Sequence, residues 1–143
     1  MKLEYTFKSK WADFDPNRHM RHSAYNDYAA EARVRFLMEN GFDILKLNKM
    51  NLGPILFKEE TNFLREINLG EDITVTVCLA GMSENGDRFK FQHQIIKPNG
   101  VVAAEVIVTG AWLDLAKRKL SVPPSDILEM MDKVDRTSDF VVL

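Results

Sequence analysis

The chain has 143 residues, 45% of them hydrophobic and 28% charged, a length and balance that fit one compact domain with a sizeable core. Its formal net charge of -2 at pH 7 argues against nucleic acid as the main partner, and no run of residues is apolar and long enough for a signal-peptide core or a membrane span. The one cysteine, Cys78, cannot close an internal disulfide, so a reducing, cytoplasmic setting is expected.

The first element is "KLEYTFK". Leu3, Tyr5 and Phe7 alternate with Lys2, Glu4, Thr6 and Lys8, the period of a strand with one side buried. A polar loop, "DFDPNRHMRH", follows. Then "SAYNDYAAEARVRFLMENG" predicts a helix, with Ser23 as N-cap and Gly41 as stop. On the helical wheel Tyr25, Ala29, Ala32 and Phe36 form one apolar stripe, and Ala30, Val34 and Leu37 a second. Asp27, Glu31 and Arg35 form a polar one. A helix apolar on two sides is covered on more than one side. "FDILKL" predicts a further short turn of helix.

Beyond "NKMNLGP" the period changes to two. "ILFKEETNFLREI" alternates imperfectly, and "DITVTVCLAGM" places Ile73, Val75, Val77 and Leu79 on one face. Cys78, in that strand, reads as a small buried side chain. "DRFKFQHQII" puts Phe89, Phe91, His93 and Ile95 together, and "VVAAEVIVTGAWLDL" is a long β-rich run. The connections "SENGD" and "KPNGV" carry Asn-Gly, a strong hairpin signal. "SVPPSDILEMMDKV" predicts a last short helix, and "FVVL" a tail that tucks back. The expected class is α+β: an antiparallel sheet wrapped on one long helix, as a single domain over 1–143.

The polar loop carries two aspartates, an asparagine, two histidines and two arginines. Three readings compete. Asp13, Arg18, Arg21 and Asp27 can pair at the surface with no function, each pair contributing about 0–1 kcal/mol. His19 and His22, with Asp13, Asp15 and Asn17, can be taken as metal ligands, but their spacing matches no known site, so no metal is expected. In the third, a loop carboxylate faces a substrate carbonyl held at the helix start, where unpaired N–H groups and the positive dipole end stabilise an oxyanion. That is what acyl transfer to water requires. No GxxxxGK or GxGxxG motif is present.

The stretch "DFDPNRHMRHSAYNDYAAEAR" resembles the signature of hotdog-fold thioesterases of the 4-hydroxybenzoyl-CoA thioesterase type. Asp13, Asp15, His19, Tyr25, Glu31 and Arg33 fall on its positions. Asp13, Asp15, Asn17 and His19 are also similar to the Asp-x-Asp-x-Asn-x-His run of plant acyl-carrier-protein thioesterases. The resemblance implies a hotdog fold, a homodimer or homotetramer with sheets joined edge to edge, and sites at the subunit boundary. It implies hydrolysis of an acyl-CoA or acyl-carrier-protein thioester, with no bound cofactor. Asp15 would be the general base or the nucleophile, and Asn17 and His19 would orient it, the water or the substrate. The helix start at His22, Ser23 and Ala24 would supply the oxyanion donor. Tyr25 is read both as core and as substrate contact. Arg65, Lys117 and Arg118 are candidates for coenzyme A phosphates. Where the family has Gly-His-x-Asn-Asn, this chain has Arg18, His19, Met20, Arg21 and His22. A non-catalytic acyl-CoA-binding domain and a thioester hydratase or dehydratase are the alternatives on the same fold.

Overall fold

The computed structural model describes residues 2–143. In chain order these form β1 (Leu3–Phe7), a 3-10 turn (Trp11–Asp13), α1 (His22–Glu39), α2 (Ile44–Lys49), β2 (Leu52–Phe63), β3 (Ile73–Met82), β4 (Arg88–Ile96), β5 (Val102–Asp114), β6 (Lys119–Leu120), α3 (Ser125–Asp132) and β7 (Arg136–Val142). The protein is α+β, with one seven-stranded sheet among the described residues, ordered β1-β3-β4-β5-β2.

The centre is an antiparallel meander. β3 pairs β4 and β4 pairs β5 antiparallel, and Gly86 and Gly100 turn the two hairpins at positive φ, where a Cβ would be strained. β2 returns along β5 from Leu52↔Asp114 to Phe63↔Ala104 and ends the sheet on that side. β1 lies antiparallel to the first half of β3, and β7 lies parallel to its second half. β6 is a two-residue addition to β5 after the "AKRK" turn. The sequence pattern contains neither β6 nor a full strand for β7. The first is too short for alternation, and the second leaves most of its side chains exposed.

The inward faces are those alternation selects. Ile73, Val75, Val77, Leu79, Phe89, Phe91, His93, Ile95, Ala104, Val106 and Val108 are buried, and α1 adds Ala24, Tyr25, Tyr28, Ala29, Ala32 and Phe36 to the same core. Large apolar side chains withdrawn from water this way contribute about 1.5–3 kcal/mol each. The alanines are fully buried and bring α1 close to the sheet. The second apolar stripe, Ala30, Val34 and Leu37, is only half-buried.

Two local expectations are corrected. The helix begins at His22 with Arg21 as N-cap, and Ser23 does not cap it. Its hydroxyl instead accepts a hydrogen bond of 2.6 Å from the Arg21 guanidinium. Cys78 is half-buried, on the outer face of β3, and not sealed in the core; burial and the nearby Asp135 charge still push its thiol above its usual range.

Candidate functional site

The loop between β1 and α1 is built by its two aspartates, which do different things. Asp13 is buried. Its carboxylate accepts from the Lys10 backbone N–H at 3.0 Å and from the Tyr28 hydroxyl, and the Arg21 guanidinium stands 3.8 Å away. Its carbonyl accepts from the Arg21 N–H at 2.7 Å. Burial, then the bond to Asp13, pushes the Tyr28 phenol up, so it stays a donor. Asp13 thus pins the loop to the second turn of α1.

Asp15 starts a tight turn. The Arg18 N–H donates to the Asp15 carbonyl at 3.0 Å, and the Asp15 N–H donates to the His19 carbonyl at 2.9 Å. Pro16 presets the turn, and Arg18 takes φ 66° to close it. The Asp15 Oδ1 accepts from the backbone N–H groups of Asn17 (2.9 Å) and His19 (3.4 Å). Its other carboxylate oxygen has no partner among the described residues. So Asn17 and His19 hold Asp15 through the backbone. Neither the Asn17 nor the His19 side chain has a hydrogen bond to Asp15 among the described residues.

The His19 imidazole points elsewhere. Its Nε2 lies 2.9 Å from Glu66 Oε2, because the loop is bridged to the segment after β2: His19 faces Asn68, and the Met20 N–H donates to the Ile67 carbonyl at 2.9 Å. A cleft of about 240 Å³ opens here, lined by His19, Met20, Tyr25, Phe63, Leu64, Arg65 and Glu66. The Tyr25 ring meets Phe63 edge-on at 5.1 Å. Burial raises the Tyr25 phenol, opposed by a backbone hydrogen bond from Ile67 and aided by the charges of Glu66 and Asp15. Asp15 itself is not among the residues that line the cleft.

That first turn presents the backbone N–H groups of His22 and Ser23, for which no acceptor exists among the described residues. Both side chains are exposed, whereas Tyr25 is buried and serves the core as well as the cleft. Arg65 stands on the cleft rim. Lys117 and Arg118 lie in the β5–β6 turn and line neither this cleft nor the cavity below. Among the described residues no three His, Cys, Asp or Glu side chains converge as a metal centre needs.

From the cleft a seam runs between α1 and β2. Asn26 accepts from the Thr61 hydroxyl at 2.6 Å in its middle. At its far end lies a cavity of about 180 Å³, walled by Ala30, Val34 and Leu37 of the second stripe, by Leu56 of β2, and by Phe89, Phe91 and Trp112 of the sheet, with Arg33 on one side. The half-buried stripe of α1 is thus the wall of a cavity. Arg33 is held by His93: its guanidinium lies 3.0 Å from His93 Nε2, and His93 Nδ1–H donates to the Thr76 carbonyl at 2.8 Å. Sequence reasoning missed Glu66, His93 and Trp112 as neighbours of a site. His93 carried a signal, since alternation with Phe91 and Ile95 aims it inward. Glu66 lies outside any regular element and carried none.

Residues 9–131 match the thioesterase-like superfamily. The chain belongs to this superfamily. No curated protein matches the sequence significantly. Solved structures share the fold of this thioesterase-like chain at low identity. A hypothetical protein from Staphylococcus aureus in complex with CoA has a TM-score of 0.87 at 20% identity, over 96% of this chain and 87% of that one. A 1,4-dihydroxy-2-naphthoyl-CoA thioesterase from Synechocystis has a TM-score of 0.83 at 14% identity, over 96% and 100%. A gentisyl-coenzyme A thioesterase has 0.78 at 20%, over 90% and 98%. These likenesses establish a hotdog-type fold. Separately, no helix is long and apolar enough to cross a membrane.

Proposed function

We propose that the protein hydrolyses an acyl-CoA thioester to a free acid and a thiol, with Asp15 as the acting carboxylate. The observation that carries this reading is the state of Asp15. One of its oxygens is fixed by two backbone N–H groups, and the other is unengaged. Asp15 lies one turn of chain before His19 and Met20, which line the cleft beside Tyr25. As a base, Asp15 would take a proton from water as that water attacks the thioester carbon. As a nucleophile, it would form an acyl anhydride that water then opens. Either route places negative charge on the carbonyl oxygen, and the N–H groups of His22 and Ser23 are suited to receive it.

On this reading the hotdog is completed by α1 as the element the sheet curls around, and the acyl group follows the α1–β2 seam into the cavity. Arg65 on the cleft rim is suited to a coenzyme A phosphate, and Lys117 and Arg118 are not adjacent to it. The resemblance to the 4-hydroxybenzoyl-CoA type and to acyl-carrier-protein thioesterases fits the same assignment. Two of the similar structures are named for aromatic acyl-CoAs, and the cavity here is walled by aromatic rings, so aromatic substrates belong in any panel. The hydratase alternative is less well supported, because His19 is paired with Glu66 and not with Asp15.

Asp15→Asn tests the proposal. The Asn carbonyl oxygen can accept the same two backbone N–H bonds, so the turn and the far-ultraviolet spectrum are retained. Thiol release from the best acyl-CoA falls by about 10²–10⁴-fold. A folded variant that releases thiol at the parent rate removes Asp15 from the chemistry.

A further inference from the structure

The cavity at the end of the α1–β2 seam has an unusual chemical bias. Its walls are apolar except for two side chains, and both of those only donate. The first is Arg33, half-buried and, among the described residues, without a carboxylate within 4.0 Å. Its one hydrogen-bonding partner is His93. The tautomer of that ring is set by Thr76. A carbonyl can only accept, so His93 Nδ1 carries the proton and Nε2 offers a lone pair to Arg33. This uses one of the five guanidinium N–H donors and fixes the plane of the group. The imidazole brings no negative charge, and burial makes the Arg33 cation costly, a cost that the Glu59 charge, beyond ion-pair distance, offsets only in part.

The second is Trp112. It is 2% exposed, its ring lines the same cavity, and its indole N–H is buried with no acceptor among the described residues. Orphaned buried donors are rare in folded proteins and call for a physical reason. Here a cation with no carboxylate in direct contact, opposed only by the longer-range charge of Glu59, and a buried orphan donor on a wall residue border a cavity lined by no side-chain oxygen. A ligand that supplies anionic oxygen resolves both.

We infer that the Arg33–Trp112 cavity selects acyl groups that carry a second, anionic oxygen, an ω-carboxylate in the simplest case, over acyl groups ending in a methyl. The inference rests on the thioesterase reading above and names its substrate class. The apolar walls take the hydrocarbon or ring. Arg33, held flat by His93, meets the carboxylate with its free N–H groups, and the Trp112 N–H is the further donor. A methyl-terminated chain leaves both donors unpaired, and that penalty is the source of discrimination.

The experiment uses matched pairs: straight-chain acyl-CoAs of four to ten carbons beside their ω-carboxylated counterparts, and benzoyl-CoA beside para-carboxybenzoyl-CoA. For the wild-type chain, at least one pair favours the carboxylated member by about tenfold or more in kcat/KM, chiefly through KM. In Arg33→Met that ratio falls to about one, and in Trp112→Phe it falls severalfold. No wild-type preference in any pair, or a preference that survives Arg33→Met, overturns the inference. Should Arg33→Met not fold, Trp112→Phe, which removes one N–H and little volume, carries the second arm. If the wild type turns over no thioester at all, the hydrolase reading fails, and thioether analogues of the same pairs decide this one by calorimetry. Selective binding lost with the Arg33 or Trp112 change supports it, and equal or absent binding overturns it.

Discussion

A histidine sealed between a guanidinium and a backbone carbonyl has to stay neutral. Burial, aided by the Arg33 charge, pushes His93 from its usual value near 6.5 down to about 3. The unfolded chain therefore binds one more proton than the folded one between those values. Stability is fully present above pH 6.5 and is lost as pH falls toward 3, at about 1.4 kcal/mol per pH unit from this residue. Urea midpoints at pH 7, 6 and 5 should drop accordingly, and in His93→Gln the descent should be shallower from a lower starting point. An unchanged slope in His93→Gln would assign the acid sensitivity to other groups. The inward direction of His93 was legible from its alternation with Phe91 and Ile95, but its partner was not, since Arg33 lies 60 positions away. The same holds for the loop. Its crowding of polar residues is visible in the sequence. The division of labour between Asp13 as anchor and Asp15, held by one oxygen in its own turn, depends on Tyr28 and on backbone turns that no spacing rule encodes.

At the level of elements, the closest packing occurs where β5 passes between β4 and β2. Gly110 pairs Phe89 on one side and Leu56 on the other. A Cβ built there would stand 2.0 Å from the Ile55 carbonyl oxygen and 2.9 Å from the Phe89 ring. The first is backbone and cannot swing aside. Gly110→Ala should destabilise the fold on the order of 3 kcal/mol, read as a lower urea midpoint with an unchanged slope, and it should disturb the cavity wall that Phe89 and Leu56 share. A variant as stable as the parent would mean that β2 can shift freely against β5. The meander itself was readable, because β3, β4 and β5 each bury one face and are joined through Asn-Gly turns. β7 was readable only as a tail. Its pairing with β3 is parallel and covers the half of β3 that β1 leaves open, a consequence of tertiary placement and not of its own pattern. The two apolar stripes of α1 were legible as stripes. That one packs in the core while the other walls a cavity follows from how far β2 stands from the helix, which no helical wheel contains.

At the scale of the whole molecule, β2 is the end of the sheet on one side, and an unpaired strand edge is a template for another strand. β2 and the residue after it also carry apolar side chains that a lone subunit would not be expected to expose: Phe57 is 59% exposed, Phe63 54% and Leu64 49%. The strand is not a generic sticky edge. A register shift between Leu56 and Lys58 bends it at Phe57, and Lys58, Glu59 and Glu60 charge its centre. Those features discourage indiscriminate stacking but suit a two-fold partner. An antiparallel copy centred on Glu59 sets Lys58 against Glu60 in both directions. The reading of the protein as a dimer joined edge to edge therefore predicts a specific assembly through β2. Light scattering on the purified chain should give twice the 16.4 kDa subunit mass. Phe57→Arg combined with Leu64→Arg, both at exposed positions, should return the subunit mass with an unaltered far-ultraviolet spectrum. Because Phe63, Leu64 and Arg65 also border the His19 cleft, the monomeric variant should lose thioester turnover together with its partner. A wild-type chain that remains monomeric at high protein concentration, or a monomeric variant with full turnover, would detach the site from the subunit boundary and leave the cleft as a property of the single chain.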